Sequence, residues 1–143
     1  MINHMQERIG RGLLLAGALG FSLLLAGCGS RTQPVEGIVV FKGGEPATKL
    51  AGYYVTFESV DQPVSATGVV QPDGTFKVGT YQDGDGALLG KHRVSIGPPA
   101  PDYGDNPKSL ILPKYNQPQT SGLEVTIRRG INKVTLEVEP ARR

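Results

Sequence analysis

Few side chains of this chain can do covalent chemistry: one cysteine, Cys28, two histidines, His4 and His92, and five tyrosines. Hydrolysis or redox work needs a nucleophile beside a base, or a metal with three or more protein ligands. Beyond Cys28 the chain holds one histidine, His92, and no thiol. His92 alternates with Val94 and Ile96, so it belongs to the apolar face of a strand. A packed, hydrogen-bonded imidazole is expected there rather than a metal ligand. Asp83-Gly84-Asp85-Gly86 has the spacing with which a calcium loop opens, but the next ligand position falls on Ala87 and the closing glutamate position on Val94. Asp83 and Asp85 are therefore calcium candidates only if folding brings Asp73, Asp102 or Asp105 beside them; otherwise they make a turn. No cofactor, metal site or enzymatic activity is expected. Tyr53 and Tyr54 point to opposite faces of a strand, and Tyr81, Tyr103 and Tyr115 fall in or beside loops. Exposed tyrosine rings stack on sugars. Tyr103 and Tyr115 thus mark a candidate binding loop, although Tyr115 is expected to anchor that loop to the domain.

Cys28 ends the run Leu25-Ala26-Gly27-Cys28, directly after an apolar stretch. Residues 1–27 have the parts of a secretory signal: Arg8 and Arg11, an uncharged run from 13 to 26, then small residues. That run is shorter than the roughly twenty residues a helix needs to span a bilayer. The site resembles the lipobox of bacterial lipoproteins, in which a peptidase cuts before the cysteine and its sulfur takes up diacylglycerol. The resemblance implies cleavage after Gly27 and lipid on Cys28. A lone cysteine cannot form an internal disulfide, and lipidation removes an otherwise exposed thiol from an oxidising compartment. Two or three acyl chains make such an anchor effectively permanent, whereas one chain holds only marginally. The expected location is outside the cytoplasm, lipid-anchored in the cell envelope on the periplasmic or outer-membrane face. Gly29, where some sorting rules would read an aspartate, favours the outer membrane.

The formal net charge of the whole chain is +2. Removal of a leader carrying Arg8, Arg11 and Glu7 leaves the balance nearly neutral, so no basic stripe exists to displace counterions from a nucleic acid. Nucleic-acid binding is not expected. Tryptophan is absent, and 20 glycines and 11 prolines without a fixed period fit a strand-and-turn protein.

The chain after the signal alternates with period two, the mark of strands with one buried face. Val35, Val39 and Phe41 share a face; Tyr53, Val55 and Phe57 share the next. Residues 66–70 and 75–80 follow, separated by the turn Gln71-Pro72-Asp73-Gly74. Residues 83–90 read as a loop, and His92, Val94 and Ile96 as a fifth strand. Residues 98–122 are rich in Pro, Asn, Asp and Gly and read as a surface excursion whose length makes it functional or flexible. Leu123, Val125 and Ile127, then Val134, Leu136 and Val138, complete the set, with Arg129-Gly130-Ile131-Asn132 read as a hairpin between them. The expected fold is all-β, a seven-stranded antiparallel Greek-key sandwich. The expected boundaries are a signal peptide at 1–27, a lipidated cysteine and tether at 28–33, the sandwich at 34–139 and a disordered tail at 140–143.

Three blocks carry a family resemblance. Val35-Glu36-Gly37-Ile38-Val39 with Gly43-Gly44-Glu45-Pro46 and Tyr54-Val55-Thr56-Phe57 resembles the opening of carboxypeptidase regulatory-like domains, which have a transthyretin-like sandwich. Ala66-Thr67-Gly68-Val69 with Asp73-Gly74-Thr75-Phe76 is similar to the second block, and Gly90-Lys91-His92-Arg93-Val94 to a later strand. Leu112-Pro113-Lys114-Tyr115, Thr120-Ser121-Gly122-Leu123 and Asn132 are similar to small lipoproteins of planctomycete-type bacteria. The resemblance implies a fold and a location, not an activity. Two enzyme groups have related sandwiches. Hydroxyisourate hydrolases use several histidines and a Tyr-Arg-Gly-Ser terminus, which Glu139-Pro140-Ala141-Arg142-Arg143 does not match. Intradiol dioxygenases need a second iron-binding histidine. The expected function is a non-catalytic structural or protein-interaction module; the alternative is a carbohydrate-binding module. The expected partners are the membrane, through the lipid, and an envelope protein or glycan.

Overall fold

The computed structural model describes residues 31–101 and 108–142. Nine strands are found among these residues, and helix is confined to short turns. Four strands form one sheet: β3 (Tyr54–Ser59), β4 (Ser65–Val69), β7 (Gly90–Gly97) and β8 (Leu123–Ile127), in the order β4-β3-β7-β8 and antiparallel throughout. Alternation decides which side is buried. Val55 lies opposite Ile96, Phe57 opposite Val94 and Ser59 opposite His92, and all six are buried while Lys91 and Arg93 stand in solvent. Cross-strand pairs of this kind are what stabilise a sheet face.

A second sheet has the order β5-β2-β9, formed by β5 (Thr75–Lys77), β2 (Val35–Phe41) and β9 (Asn132–Val138). It contributes Val35, Val39, Phe76, Leu136 and Val138 to the one core that both sheets share. Gly37 sits opposite Phe76, and a Cβ there would lie 2.2 Å from the Phe76 ring. The missing side chain leaves room for that ring, which tilts against Phe57 with centroids 6.1 Å apart. The architecture is all-β and sandwich-like.

Three features differ from the sequence reading. First, the sandwich is not wholly antiparallel: β2 and β9 run parallel over seven matched pairs, from Val35↔Asn132 to Phe41↔Val138. Parallel partners lie far apart in sequence, and alternation within each strand carries no sign of direction.

Second, residues 129–132 do not form a hairpin, because β8 and β9 belong to different sheets. The segment is a corner between sheets, closed by the Asn132 side chain. Its Oδ1 accepts from Arg128 N at 2.9 Å, and its Nδ2 donates to the carbonyls of Arg128 and Gly130, each at 2.9 Å. A glycine turn after an alternating strand serves a hairpin and a corner alike.

Third, the tether and the loop at 83–90 pair with each other. β1 (Thr32–Gln33) and β6 (Ala87–Leu88) form a two-stranded ribbon, with Thr32 opposite Leu88 and Gln33 opposite Ala87. Ala87 and Leu88 are adjacent and both buried, so no alternation announces them. Thr32 and Gln33, expected in the tether, are thus part of a strand.

Of the excursion at 98–122, the part from 108 onward turns inward at Ile111 and Tyr115. Ile111 is fully buried and bridges Pro140, and Ala141 N donates to Leu110 O at 2.9 Å. Residues 140 and 141, expected in a disordered tail, are thus paired. Short helical turns at Pro113–Asn116 and Pro118–Ser121 follow. Two buried tyrosines hold this segment by accepting backbone N–H groups. Tyr53 Oη takes Leu110 N at 2.9 Å, and Tyr115 Oη takes Glu139 N at 3.1 Å. Buried hydroxyls need such partners.

Candidate functional site

Cys28, Leu25, Ala26, Gly27 and Tyr103 lie outside the described residues. Tyr115 is 4 % exposed, so its ring has no free face for a sugar; it anchors the segment around it. Asp85 closes its own loop. Its Oδ1 accepts from Thr80 N at 2.6 Å and its Oδ2 from Tyr81 N at 3.2 Å, while Thr80 Oγ1 donates to Gly86 O at 2.7 Å. Asp83 is exposed beside it. Among the described residues no three His, Cys, Asp or Glu side chains converge as a metal-binding group would require. Asp73 is engaged in its own turn, and Asp102 and Asp105 lie outside the described residues. Asp73 Oδ1 accepts from Thr75 N and Oγ1 at 3.0 and 2.6 Å, which holds its carboxyl below the usual range.

His92 is 1 % exposed and packs 6.2 Å from the Phe57 ring, centroid to centroid. Its Nδ1–H donates to Gly90 O at 3.1 Å, an assignment that follows because a carbonyl can only accept. Burial pulls the imidazole pKa below its ordinary 6.5, with the Gly90 carbonyl and Asp61 pulling weakly the other way. The linkage sign follows from the depressed value: below pH about 6.5 the unfolded chain binds the proton first, so stability falls with pH until the folded imidazole also protonates. Urea midpoints of the native chain are expected to drop as pH is lowered through 6.5, and His92→Phe is expected to lack that step. Equal drops in both proteins would assign the effect to other groups.

Among the described residues a groove of about 1330 Å³ runs along the side where β4 meets β5. Its walls include Tyr54, Val69 and Tyr81 on one side and Glu36, Lys77 and Lys133 on the other. Strand phase places most of these. Tyr54 opens β3 in the outward phase, with Val69 directly opposite on β4. Glu36 is flanked by Lys77 on β5 and Lys133 on β9. Lys77 Nζ lies 2.9 Å from Glu36 Oε1, a hydrogen bond that holds the Glu36 carboxyl below its usual range, with the Lys77 charge adding to it. Both groups are solvated, so the pair adds little to stability.

Gly68 explains how the two strands meet at the groove floor. A Cβ there would lie 1.9 Å from Lys77 O, so backbone rests directly on backbone. Tyr54 and Tyr81 are 45 % and 63 % exposed, which leaves ring faces open to a flat apolar ligand. The polar lining is threonine, glutamine, an aspartate and the charged trio, a set suited to holding a ligand rather than to nucleophilic attack. That Tyr53 and Tyr54 point to opposite faces was legible, but the place of Tyr54 in one groove with Tyr81 depends on the Asp85 loop, which periodicity does not show. No helix among the described residues is long and apolar enough to cross a membrane. No protein-family model, curated protein or solved structure matches the chain.

Proposed function

We propose that the protein is a non-catalytic lipoprotein, exported and held in the cell envelope by lipid on Cys28, whose β domain serves as a structural or protein-interaction module. The observation that carries this reading is the join between Leu25-Ala26-Gly27-Cys28 and the fold. β1 opens at Thr32, so only Gly29, Ser30 and Arg31 stand in sequence between the cysteine and this first described strand. The three- and four-stranded sheets over one core are in keeping with the seven-stranded Greek-key, transthyretin-like sandwich of carboxypeptidase regulatory-like domains. Mass spectrometry of the membrane-extracted protein tests the anchor. The expected N-terminus is Cys28 carrying diacylglycerol and acyl mass, and Cys28→Ser is expected to lose both the cleavage and the lipid mass. Unchanged processing and lipid mass of that variant would overturn the reading.

A second reading is a carbohydrate-binding module, favoured by one observation: the open tyrosine rings of Tyr54 and Tyr81 in a single groove. These residues replace Tyr115 in that role, and Tyr103 stays with the sequence-based expectation. A glycan array of the native protein against Tyr54→Ala and Tyr81→Ala decides it. Absence of saturable sugar binding removes the reading; binding lost in both variants supports it.

A further inference from the structure

We infer that the Cys28-proximal end of the domain is a membrane-seating surface, in which Arg31, Leu89, Arg128, Arg129 and Ile131 rest on an anionic lipid headgroup layer. The inference rests on the anchor reading above and adds which face of the domain meets the bilayer. Register brings these residues together from separate segments. Thr32 lies opposite Leu88, so Arg31 and Leu89 are the next positions outward on that ribbon. Gly90 lies opposite Ile127, so Leu89 and Arg128 are the next positions outward there. Leu89 therefore stands between two arginines. The corner at 128–131 is tied to the start of the domain: Gly130 N donates to Gln33 Oε1 at 2.9 Å, and Asn132 N to Pro34 O at 2.8 Å.

The chemistry of this end matches a bilayer surface. Ile131 is 71 % exposed and Leu89 41 % exposed, while Arg31, Arg128 and Arg129 are all exposed beside them. A lone exposed apolar side chain needs no explanation. Two of them set among three arginines, at the end where the acyl chains attach, have a fitting medium in the headgroup and acyl boundary. The ion pairs among the described residues join lysines to glutamates and use none of these arginines. Asp61 is the acidic group at the margin, with its carboxylate 3.4 Å from where a Gly90 Cβ would stand. Geometry keeps the surface close to the lipid. Three residue steps separate Cys28 from Arg31, a reach of about 10 Å at full extension. A tether this short lets the arginines approach the headgroups to within the roughly 8 Å Debye length of physiological salt, inside which their attraction is felt.

The chain has no tryptophan, so Ile131→Trp introduces a single reporter, and Leu89→Trp a second, independent one. The lipidated protein would be extracted from its own membranes and reconstituted into phosphatidylcholine vesicles with or without phosphatidylglycerol, using brominated lipid as quencher. Both reporters are expected to shift blue and be quenched on the anionic vesicles. Glu45→Trp, beyond the far end of the seven-residue β2, is about 20 Å away and is expected to stay unquenched. Arg128→Gln with Arg129→Gln is expected to lower the seated-to-lifted ratio about 25-fold, from about fivefold for each charge near an anionic surface. Vesicle-bound protein with Ile131→Trp and Leu89→Trp no more quenched than Glu45→Trp overturns the seating while leaving the anchor intact. Protein that neither floats with vesicles nor carries lipid mass overturns the anchor, and the seating with it.

Discussion

Phe57→Ala is expected to lower the free energy of unfolding by about 3–5 kcal/mol, read as a fall in the urea midpoint with an unchanged denaturant slope. Phe57 is fully buried at the centre of the four-stranded sheet. Its ring bridges the two sheets through Phe76 and leans on His92, with centroids at 6.1 and 6.2 Å. Its cross-strand partners are Ala66 and Val94, side chains too short to close over the space a ring would leave. The cavity term therefore adds in full to the lost transfer energy. A domain of this size has a total stability of about 5–15 kcal/mol, so the loss is a large fraction of the total. Ile131→Ala is the matched control. That side chain is 71 % exposed, and its loss is expected to change stability by no more than about 0.5 kcal/mol. Comparable losses in both variants would remove Phe57 from the centre of the core.

The same residue shows why much of the fold was readable in advance. Phe57, Val55 and Tyr53 alternate with Tyr54 and Thr56, and the structure buries the first three and exposes Tyr54. His92, Val94 and Ile96 behave alike. A strand half in water must repeat every two residues, and that repeat is printed in the residue types. The turn at 71–74 was equally plain, since Asp73 and Gly74 supply the acceptor and the positive φ of 86° that its geometry requires.

What alternation does not encode is partnership. Nothing local in Val35 to Phe41 distinguishes a parallel neighbour from an antiparallel one, so the pairing with β9 stayed hidden. Thr32–Gln33 and Ala87–Leu88 are too short to hold a period, and each is fixed by the other across the fold. Ile111 lay inside a Pro- and Asn-rich stretch whose composition signals surface, yet it is fully buried and bridges Pro140 near the far end of the chain; Tyr115 in the same stretch was expected as an anchor, and its hydroxyl takes Glu139 N. Site legibility divides along the same line. Asp85 was visible as a turn former or a ligand, and only the position of the Thr80 and Tyr81 amides settles which role its carboxylate takes. The groove joining Tyr54 to Tyr81, and the arginine corner beside Gln33, are products of register and of connections between sheets. Neither exists in any window of consecutive residues.

Gly86→Ala is expected to detach β1 from the domain. Gly86 has φ +94°, and a Cβ there would lie 1.8 Å from the backbone oxygen of Gln33. Backbone on the ribbon cannot yield as the end of a long side chain would. An alanine must therefore either give up this φ or push Gln33 away, and both outcomes end the pairing of Thr32 with Leu88. The strain of a Cβ at positive φ costs about 1–2 kcal/mol, and each lost ladder hydrogen bond about 1 kcal/mol more, for a total of about 3 kcal/mol. Gly84→Ala separates the two contributions. Gly84 also has positive φ, +72°, but a Cβ there would meet nothing within 4 Å, so that variant carries the strain alone. Amide hydrogen exchange is the direct measurement. Protection across the ribbon, Thr32–Gln33 and Ala87–Leu88, is expected to collapse in Gly86→Ala and persist in Gly84→Ala, while the β3–β7 and β2–β9 ladders stay protected in both. Because β1 is the first described strand after Cys28, its release lengthens the tether and lets the arginine corner lift from the membrane. Ile131→Trp quenching on anionic vesicles is accordingly expected to fall in the Gly86→Ala background and remain in the Gly84→Ala one; equal quenching in the two would disconnect the ribbon from the seating of the domain.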